Sequence, residues 1–196
     1  MNIQKRTLTI SLVGIMAALM AVGAWIAIPM PWGVSFTLQT LMMALAGYLL
    51  GPGLAPLAVV IYILLGLVGL PVFTGFNSGP GVLSGPTGGY IWGFIPMAFF
   101  CGLAALPKEP ENAVLPKKVS RILARFLLSA AGLACCHIPG VLQLAKVAGM
   151  SCGKAFAVGS LSYLAKDIVS MVIAWGISVP LRQITEKFGG AASGKA

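Results

Sequence analysis

The sequence predicts an all-α integral membrane protein, a bundle of six transmembrane helices, and three observations support this class. Of the 196 residues, 58% are hydrophobic and only 9% are charged, whereas a soluble domain has about 25% charged residues. Residues 7–107 contain no Asp, Glu, Lys, Arg or His, so this stretch cannot form a water-facing surface. The chain also divides into apolar stretches separated by short turns rich in Pro and Gly. We expect a single transmembrane domain over residues 1–196.

The lengths of the apolar stretches set the expected spans, because about 20 apolar residues cross a bilayer as a helix. The first stretch is longer than the core of a signal peptide and is followed by more apolar sequence, so we expect a retained span. The second and third are short, and one or both are expected to be tilted or helped by re-entrant backbone. The turn Gly51-Pro52-Gly53 separates them. The approximate spans are 8–28, 36–50, 54–70, 90–106, 119–138 and 160–182.

The basic residues orient this bundle. The net charge is +9, and most Lys and Arg residues lie on one side of a six-span topology, which favours a membrane-topology signal over nucleic-acid binding. The opposite side holds Lys146 and Lys154. Both termini are therefore expected in the cytosol. The basic residues of the cytosolic side are Lys5, Arg6, Lys108, Lys117, Lys118, Arg121, Arg125, Arg182, Lys187 and Lys195.

The sequence carries no signal of catalysis or of metal binding. Only four acids are present, and Glu109, Glu111 and Glu186 are expected to be solvated surface residues. A metal-dependent membrane enzyme needs several acids in one site. The single His137 lies in no Gly-x-Ser-x-Gly context, and the cysteines lack CxxC or zinc-site spacing. We expect no catalytic residue, metal or cofactor.

Asp167 is the fourth acid, and its depth in the membrane distinguishes it. Counted back from Arg182 at 1.5 Å per residue, it lies about 22 Å into a hydrocarbon layer of about 30 Å. A charge there costs at least a few kcal/mol unless it is paired or faces a cavity. Lys166 is adjacent, but consecutive helical side chains point about 100° apart. This spacing favours a functional Asp167 over a simple ion pair.

The segment from Gly69 to Tyr90 is too rich in Gly and Pro to be predicted as helical. At membrane depth such a backbone is tolerated only where it lines or caps a cavity. Its aromatic and polar residues, Phe73, Phe76, Asn77, Thr87 and Tyr90, favour a small-molecule pocket over a flexible outer loop. Gln39, at the start of the second span, must find either a neighbouring helix or a ligand as its partner.

Three segments give the chain a family resemblance that covers nearly its whole length. They are Ile-Pro-Met-Pro-Trp-Gly-Val-Ser-Phe-Thr-Leu-Gln-Thr at 28–40, Gly-Leu-Pro-Val-Phe-Thr-Gly at 69–75 and Gly-Pro-Thr-Gly-Gly-Tyr at 85–90. With them the sequence resembles the BioY family, the biotin-specific substrate-binding subunits (S-components) of energy-coupling factor (ECF) transporters. The resemblance implies a bundle of six helices in the bacterial cytoplasmic (inner) membrane, with a Gly/Pro-rich extracytoplasmic loop capping a biotin pocket. It also implies a coupling subunit and ATPase subunits as partners.

The resemblance further implies roles for individual residues. Asn77 and Asp167 stand at the positions that hydrogen-bond the ureido ring of biotin. The family usually has a lysine three residues after this acid, where this chain has Ser170, and Lys166 is the natural substitute. The expected ligand-binding residues are Asn77, Asp167, Gln39, Phe36, Phe73, Thr87, Tyr90 and Lys166.

A small-xxx-small stripe on the first span packs on the coupling subunit in this family. Gly14, Ala17, Ala18 and Ala21 have that spacing here, although such a stripe also serves packing within a bundle. Two other functions stay open. The chain could be an S-component for another vitamin, or a stand-alone proton-coupled carrier with Asp167 as the relay.

Overall fold

The structure, a computed structural model, describes residues 3–31, 34–105 and 115–191. Residues 106–114, which include Glu109 and Glu111, lie outside the described residues, as do the two chain ends. The described part is mostly helical. Its α-helices are α1 Ile3–Trp25, α2 Gln39–Leu67, α3 Pro80–Ser84, α4 Gly88–Ala104, α5 Leu115–Val147, α6 Cys152–Phe156 and α7 Ser162–Ala191.

Four stretches of the described residues are helical, long and apolar enough to cross a membrane. They are Arg6–Trp25, Gln39–Leu67, Val119–Val147 and Cys152–Thr185. Gly88–Ala104 is a fifth apolar helix that is shorter. The prediction of a multi-pass helical membrane protein is therefore confirmed.

Helix α2 folds back on itself at Gly51. Gly51 has φ 75° and ψ 179°, a conformation that is essentially restricted to glycine. The Gln39 amide nitrogen donates to the Tyr62 hydroxyl at 2.9 Å, whereas a continuous helix would separate these residues by about 35 Å. Residues 39–50 and 52–67 are therefore two arms of a helical hairpin, with Pro52 opening the second arm.

A two-stranded antiparallel ribbon joins α1 to α2, which an all-α prediction does not include. Strand β1 is Ala27–Ile28 and strand β2 is Phe36–Thr37, with Ala27 paired to Thr37. The Leu38 N–H also donates to the Gly23 carbonyl at 3.1 Å. The ribbon fixes the start of α2 against the end of α1.

The segment between α2 and α4 is more ordered than its composition indicates, so the prediction that it contains no helix is wrong. A 3₁₀ turn forms at Thr74–Phe76, and the short helix α3 follows. Pro80 occupies the first turn of α3, where a missing N–H costs nothing. Just before it, the Gly79 N–H donates to the Gly66 carbonyl at 2.8 Å, which anchors the segment to the second arm of α2.

Helix α4 lies at the centre of the bundle, between the α2 hairpin and α5. Glycines permit this close approach. A Cβ atom at Gly93 would lie 2.6 Å from the Cα of Cys136 on α5, and one at Gly47 would lie 2.5 Å from the Cβ of Cys101 on α4. Small residues at such contacts let helix backbones approach closely inside a membrane.

The last two long helices extend beyond the predicted spans 119–138 and 160–182. Helix α5 continues through Pro139 to Val147, and helical structure resumes at Cys152. A π-helical turn at Ala157–Leu161 joins α6 to α7. Such turns are frequent at functional sites because they redirect side chains and free backbone carbonyls.

The backbone at Gly51 predicts the response to two alanine substitutions. Gly51→Ala places a side chain where φ is 75° and should cost about 1–3 kcal/mol, which lowers the melting temperature by about 2–4 °C per kcal/mol. Gly53→Ala is the matched control, since a Cβ there meets nothing within 4 Å and alanine favours helix. Thermal unfolding of the detergent-purified variants measures both. Equal stability of the two variants would contradict the hairpin geometry.

Candidate ligand-binding site

A polar cavity of about 330 Å³ lies where α2, α4, α5 and α7 meet the segment 74–87. Its volume is in the usual range for small-molecule sites. The structure brings six of the eight predicted ligand-binding residues to its wall: Gln39, Asn77, Thr87, Tyr90, Lys166 and Asp167. Other side chains of the wall include Thr37, Thr40, Thr74, Ile91, Phe94, His137 and Tyr163.

Asp167 is the buried anion of the cavity, with 3% of its surface exposed. Lys166 Nζ lies 2.6 Å from Asp167 Oδ1, so the two adjacent side chains form an ion pair, which the helical spacing alone did not favour. Consecutive side chains leave a helix about 100° apart. The four-carbon side chain of lysine is long and flexible enough to bend back toward its neighbour. Despite this ion pair, Oδ1 has no hydrogen-bond partner of normal geometry among the described residues.

The Lys166 ammonium also holds α7 to the ribbon. Nζ donates to the Thr37 carbonyl at 3.0 Å and lies 3.5 Å from Thr40 Oγ1. It stands 6.0 Å from the centroid of the Phe36 ring. These two contacts hold the ammonium beside Asp167, so Lys166 neutralises the buried carboxylate through the ion pair.

His137 and Ser160 continue the network on the other side of Asp167, and sequence reasoning missed both. His137 Nε2 lies 3.0 Å from Asp167 Oδ2, and Nδ1 lies 2.7 Å from Ser160 Oγ. Ser160 is fully buried and does not line the cavity. Its hydroxyl is therefore not presented to a ligand as a nucleophile would be. Local sequence gives no signal of this network, because it depends on the π-helical turn that carries Ser160.

Gln39 satisfies its amide group within the protein. Its Oε1 accepts hydrogen bonds from the Thr37 and Thr74 hydroxyls at 3.1 and 3.2 Å. Its nitrogen donates to Tyr62, as described above. The structure thus supplies protein partners for Gln39, which links the ribbon, the hairpin and the 74–76 turn at the edge of the cavity.

Asn77 and Thr87 lie on the segment that borders the cavity. The Asn77 side-chain nitrogen donates to the Thr74 carbonyl at 2.8 Å, while its Oδ1 receives no hydrogen bond from the described residues. Thr87 precedes the first residue of α4, and its side chain does not cap that helix. Both residues therefore retain hydrogen-bonding capacity that a ligand could use.

Two aromatic residues that were predicted to bind the ligand, Phe36 and Phe73, do not line the cavity. Phe36 stacks on Tyr163 with ring centroids 4.3 Å apart, behind the cavity wall rather than on it. Phe73 is fully buried and packs edge-on against Tyr62 at 5.6 Å. The aromatic surface of the cavity comes instead from Tyr90, Phe94 and Tyr163.

The small-residue stripe of α1 divides between two faces. Ala17 and Ala21 are buried in the bundle, whereas Gly14 and Ala18 are exposed. A Cβ at Gly14 would meet nothing within 4 Å. The outward part of the predicted stripe is therefore Gly14 and Ala18, and its role as a partner contact stays a prediction.

Gln143 on α5 is a further residue that sequence reasoning missed. Its Nε2 donates to the carbonyls of Leu83 and Gly85, each at 2.8 Å. A Cβ at Gly88 would lie 2.5 Å from this nitrogen, so the contact requires a residue without a side chain at the start of α4. Gln143 fixes the end of α3 over the cavity.

Fold and site together define a class: a multi-pass helical membrane protein that encloses a polar cavity with a neutralised carboxylate inside it. Comparison with known proteins narrows the class. The BioY family model matches residues 1–187, and the chain belongs to this family. The resemblance seen in the sequence is thereby confirmed.

Named relatives and a solved structure support the assignment. The chain is 41% identical over 171 residues to "Biotin transporter BioY" of Thermotoga maritima, covering 87% of this chain and 94% of the relative. It is 38% identical over 165 residues to "Probable biotin transporter BioY" of Pyrococcus horikoshii, covering 84% and 90%. The crystal structure of the S-component for biotin from an ECF-type ABC transporter has the same fold, with a TM-score of 0.76 and 23% identity over 93% of this chain and 95% of that one.

Removing the Gln143 amide should loosen the segment over the cavity. Gln143→Ala deletes two hydrogen bonds, each contributing about 0.5–1.5 kcal/mol, and leaves two carbonyls to find water. Hydrogen–deuterium exchange in peptides covering 79–90 should accelerate, while exchange in the α2 hairpin stays unchanged. Gln183→Ala, at an exposed position of α7, is the control. Unchanged protection of 79–90 in Gln143→Ala would show that these bonds do not hold the segment.

Proposed function

We propose that the chain is a biotin-binding S-component that captures biotin on the outer side of the bacterial cytoplasmic membrane. ATP hydrolysis in partner subunits then drives uptake. The observation that carries this function is the buried Asp167 in a cavity of ligand size, in a chain whose family relatives are named as biotin transporters.

The cavity offers what the ureido ring of biotin requires. That ring has two N–H donors and one carbonyl acceptor, and a carboxylate accepts while an amide does both. Asp167 Oδ1 is buried without a normal hydrogen bond, so it accepts one ureido N–H. Asn77 lines the same cavity and serves the other polar edge of the ring. Tyr90, Phe94 and Ile91 provide apolar surface for the thioether ring and the valerate chain.

The paired state of Lys166 supports one of two roles that the sequence leaves open for it. A substitute for the family's lysine could neutralise either the biotin carboxylate or Asp167. Since Nζ lies 2.6 Å from Asp167 and donates to the ribbon, Lys166 acts on Asp167. The valerate carboxylate then points toward water at the cavity mouth, where its charge remains solvated.

We also propose six membrane crossings with both termini in the cytosol. The α2 hairpin supports this count, because its two arms run in opposite directions. The remaining crossings are α1, α4, α5 and the helical stretch from α6 through α7. In this topology the 71–87 segment is extracytoplasmic and caps the cavity, held there by Gly79 and Gln143.

Asp167→Asn tests the ligand contact. The substitution keeps the shape but can turn an acceptor into a donor facing a ureido N–H, a mismatch worth about 1–3 kcal/mol, or roughly tenfold to a hundredfold in affinity. Titration of purified protein with labelled biotin measures it. Ser178→Ala is the control: Ser178 is buried on the same helix and bonds the Trp175 carbonyl away from the cavity. Wild-type affinity in a folded Asp167→Asn protein would contradict the assignment.

The exposed half of the α1 stripe is the proposed contact with the coupling subunit. Gly14→Leu should preserve biotin binding and fold, since its added Cβ meets open space, while reducing co-purification with that subunit severalfold. Ala17→Leu, at a buried position, should instead lower the melting temperature. If Gly14→Leu co-purifies as well as the wild type, the coupling subunit binds another surface.

One observation favours a second function, a stand-alone proton-coupled carrier: His137 and Asp167 lie 3.0 Å apart and so place two titratable groups in the membrane. Vesicles containing this chain alone, with an imposed proton gradient and no ATPases, distinguish the two functions. We expect no accumulation of labelled biotin above the outside concentration. Severalfold accumulation that a protonophore abolishes would establish the carrier and contradict dependence on partners.

A further inference from the structure

We infer that His137 is a positioning residue for the ligand: Ser160 locks its ring in the Nε2–H tautomer, and the ring holds Asp167 in one orientation. This inference rests on the proposed function for its consequence in binding, although its geometry does not depend on the ligand. The family resemblance assigned His137 no role.

The tautomer follows from the chemistry of its two partners. An ionised carboxylate only accepts hydrogen bonds, so the 3.0 Å contact with Asp167 Oδ2 requires a proton on Nε2. In the neutral ring Nδ1 is then an acceptor, and Ser160 Oγ, at 2.7 Å, donates to it. A hydroxyl that donates to one ring nitrogen thus determines which hydrogen bond the other nitrogen makes.

The two oxygens of Asp167 are thereby given different tasks. His137 engages Oδ2, and Lys166 provides the positive charge beside Oδ1. The carboxylate plane is fixed from both sides before any ligand arrives, with Oδ1 left for the ureido N–H. Ordering the group in advance lowers the entropic cost that binding would otherwise carry.

Packing alone would not hold Asp167 in this position. A half-open apolar groove of about 500 Å³ lies between α5 and α7, bordered largely by exposed side chains, and His137 lines it as well as the polar cavity. The imidazole is therefore a partition between the two spaces and a link from α5 to α7. Without this hydrogen bond, Asp167 Oδ2 loses the partner that orients it.

The tautomer is directly measurable, because His137 is the only histidine of the sequence. Protein labelled with ¹⁵N-histidine, with any affinity tag removed, gives imidazole ¹⁵N signals from one residue. We expect, without biotin, an Nε2 signal that carries a proton and an Nδ1 signal that does not. A neutral Nδ1–H ring or an imidazolium in the wild type would overturn the inference. This readout needs no ligand, so it stands or falls separately from the proposed function.

Biotin affinity measures the consequence. His137→Leu keeps bulk but cannot donate, and should weaken binding tenfold or more. His137→Gln retains a side-chain N–H donor and should bind within a few-fold of the wild type. Ser160→Ala should lose severalfold, whereas the control Ser129→Ala, a buried serine bonded to Tyr48 at 2.8 Å, should lose nothing. Wild-type affinity in His137→Leu, or equal losses in the Leu and Gln variants, would overturn the positioning role. A wild-type protein that binds no biotin would contradict the proposed function instead.

Discussion

The rest of the site depends on one buried charge. An unpaired carboxylate inside a helical bundle is too costly to persist, and Asp167 persists because Lys166 lies against it. The buried ammonium in turn requires hydrogen-bond acceptors, which the ribbon and the start of α2 supply through Thr37 and Thr40. The contacts that neutralise Asp167 thus join α7, the ribbon and α2 at the wall of the cavity.

The backbone makes this convergence possible by bringing distant segments together at one end of the bundle. The Gly51 reversal returns Tyr62 to Gln39, and Gln39 holds Thr74 at the edge of the cavity. Glycines along α4 admit α5 closely enough for Gln143 to reach the α3 segment. The cavity is therefore lined by side chains from four segments that are far apart in the sequence, 34–40, 74–94, 136–137 and 159–167.

Sequence reasoning could find those parts of the site whose residue types are energetically unfavourable inside a membrane. A single acid in an apolar span, such as Asp167, and a glycine-rich segment at membrane depth both require an explanation. It could not find His137 or Ser160, whose partnership needs a π-helical turn that no short-range pattern encodes. It also misplaced Phe73, because an aromatic residue serves a core and a ligand wall equally well and only the three-dimensional packing distinguishes them.

The central claim is that the cavity recognises the ureido ring of biotin through Asp167. The most direct test changes the ligand and keeps the protein constant. The purified chain is titrated with biotin, with biotin methylated on a ureido nitrogen and with a panel of other vitamins. The account predicts tight binding of biotin, at least tenfold weaker binding of the methylated compound that has lost the donated N–H, a penalty of about 1–3 kcal/mol, and no competition from the other vitamins. Equal affinity for biotin and its methylated form, or tighter binding of another vitamin, would contradict it.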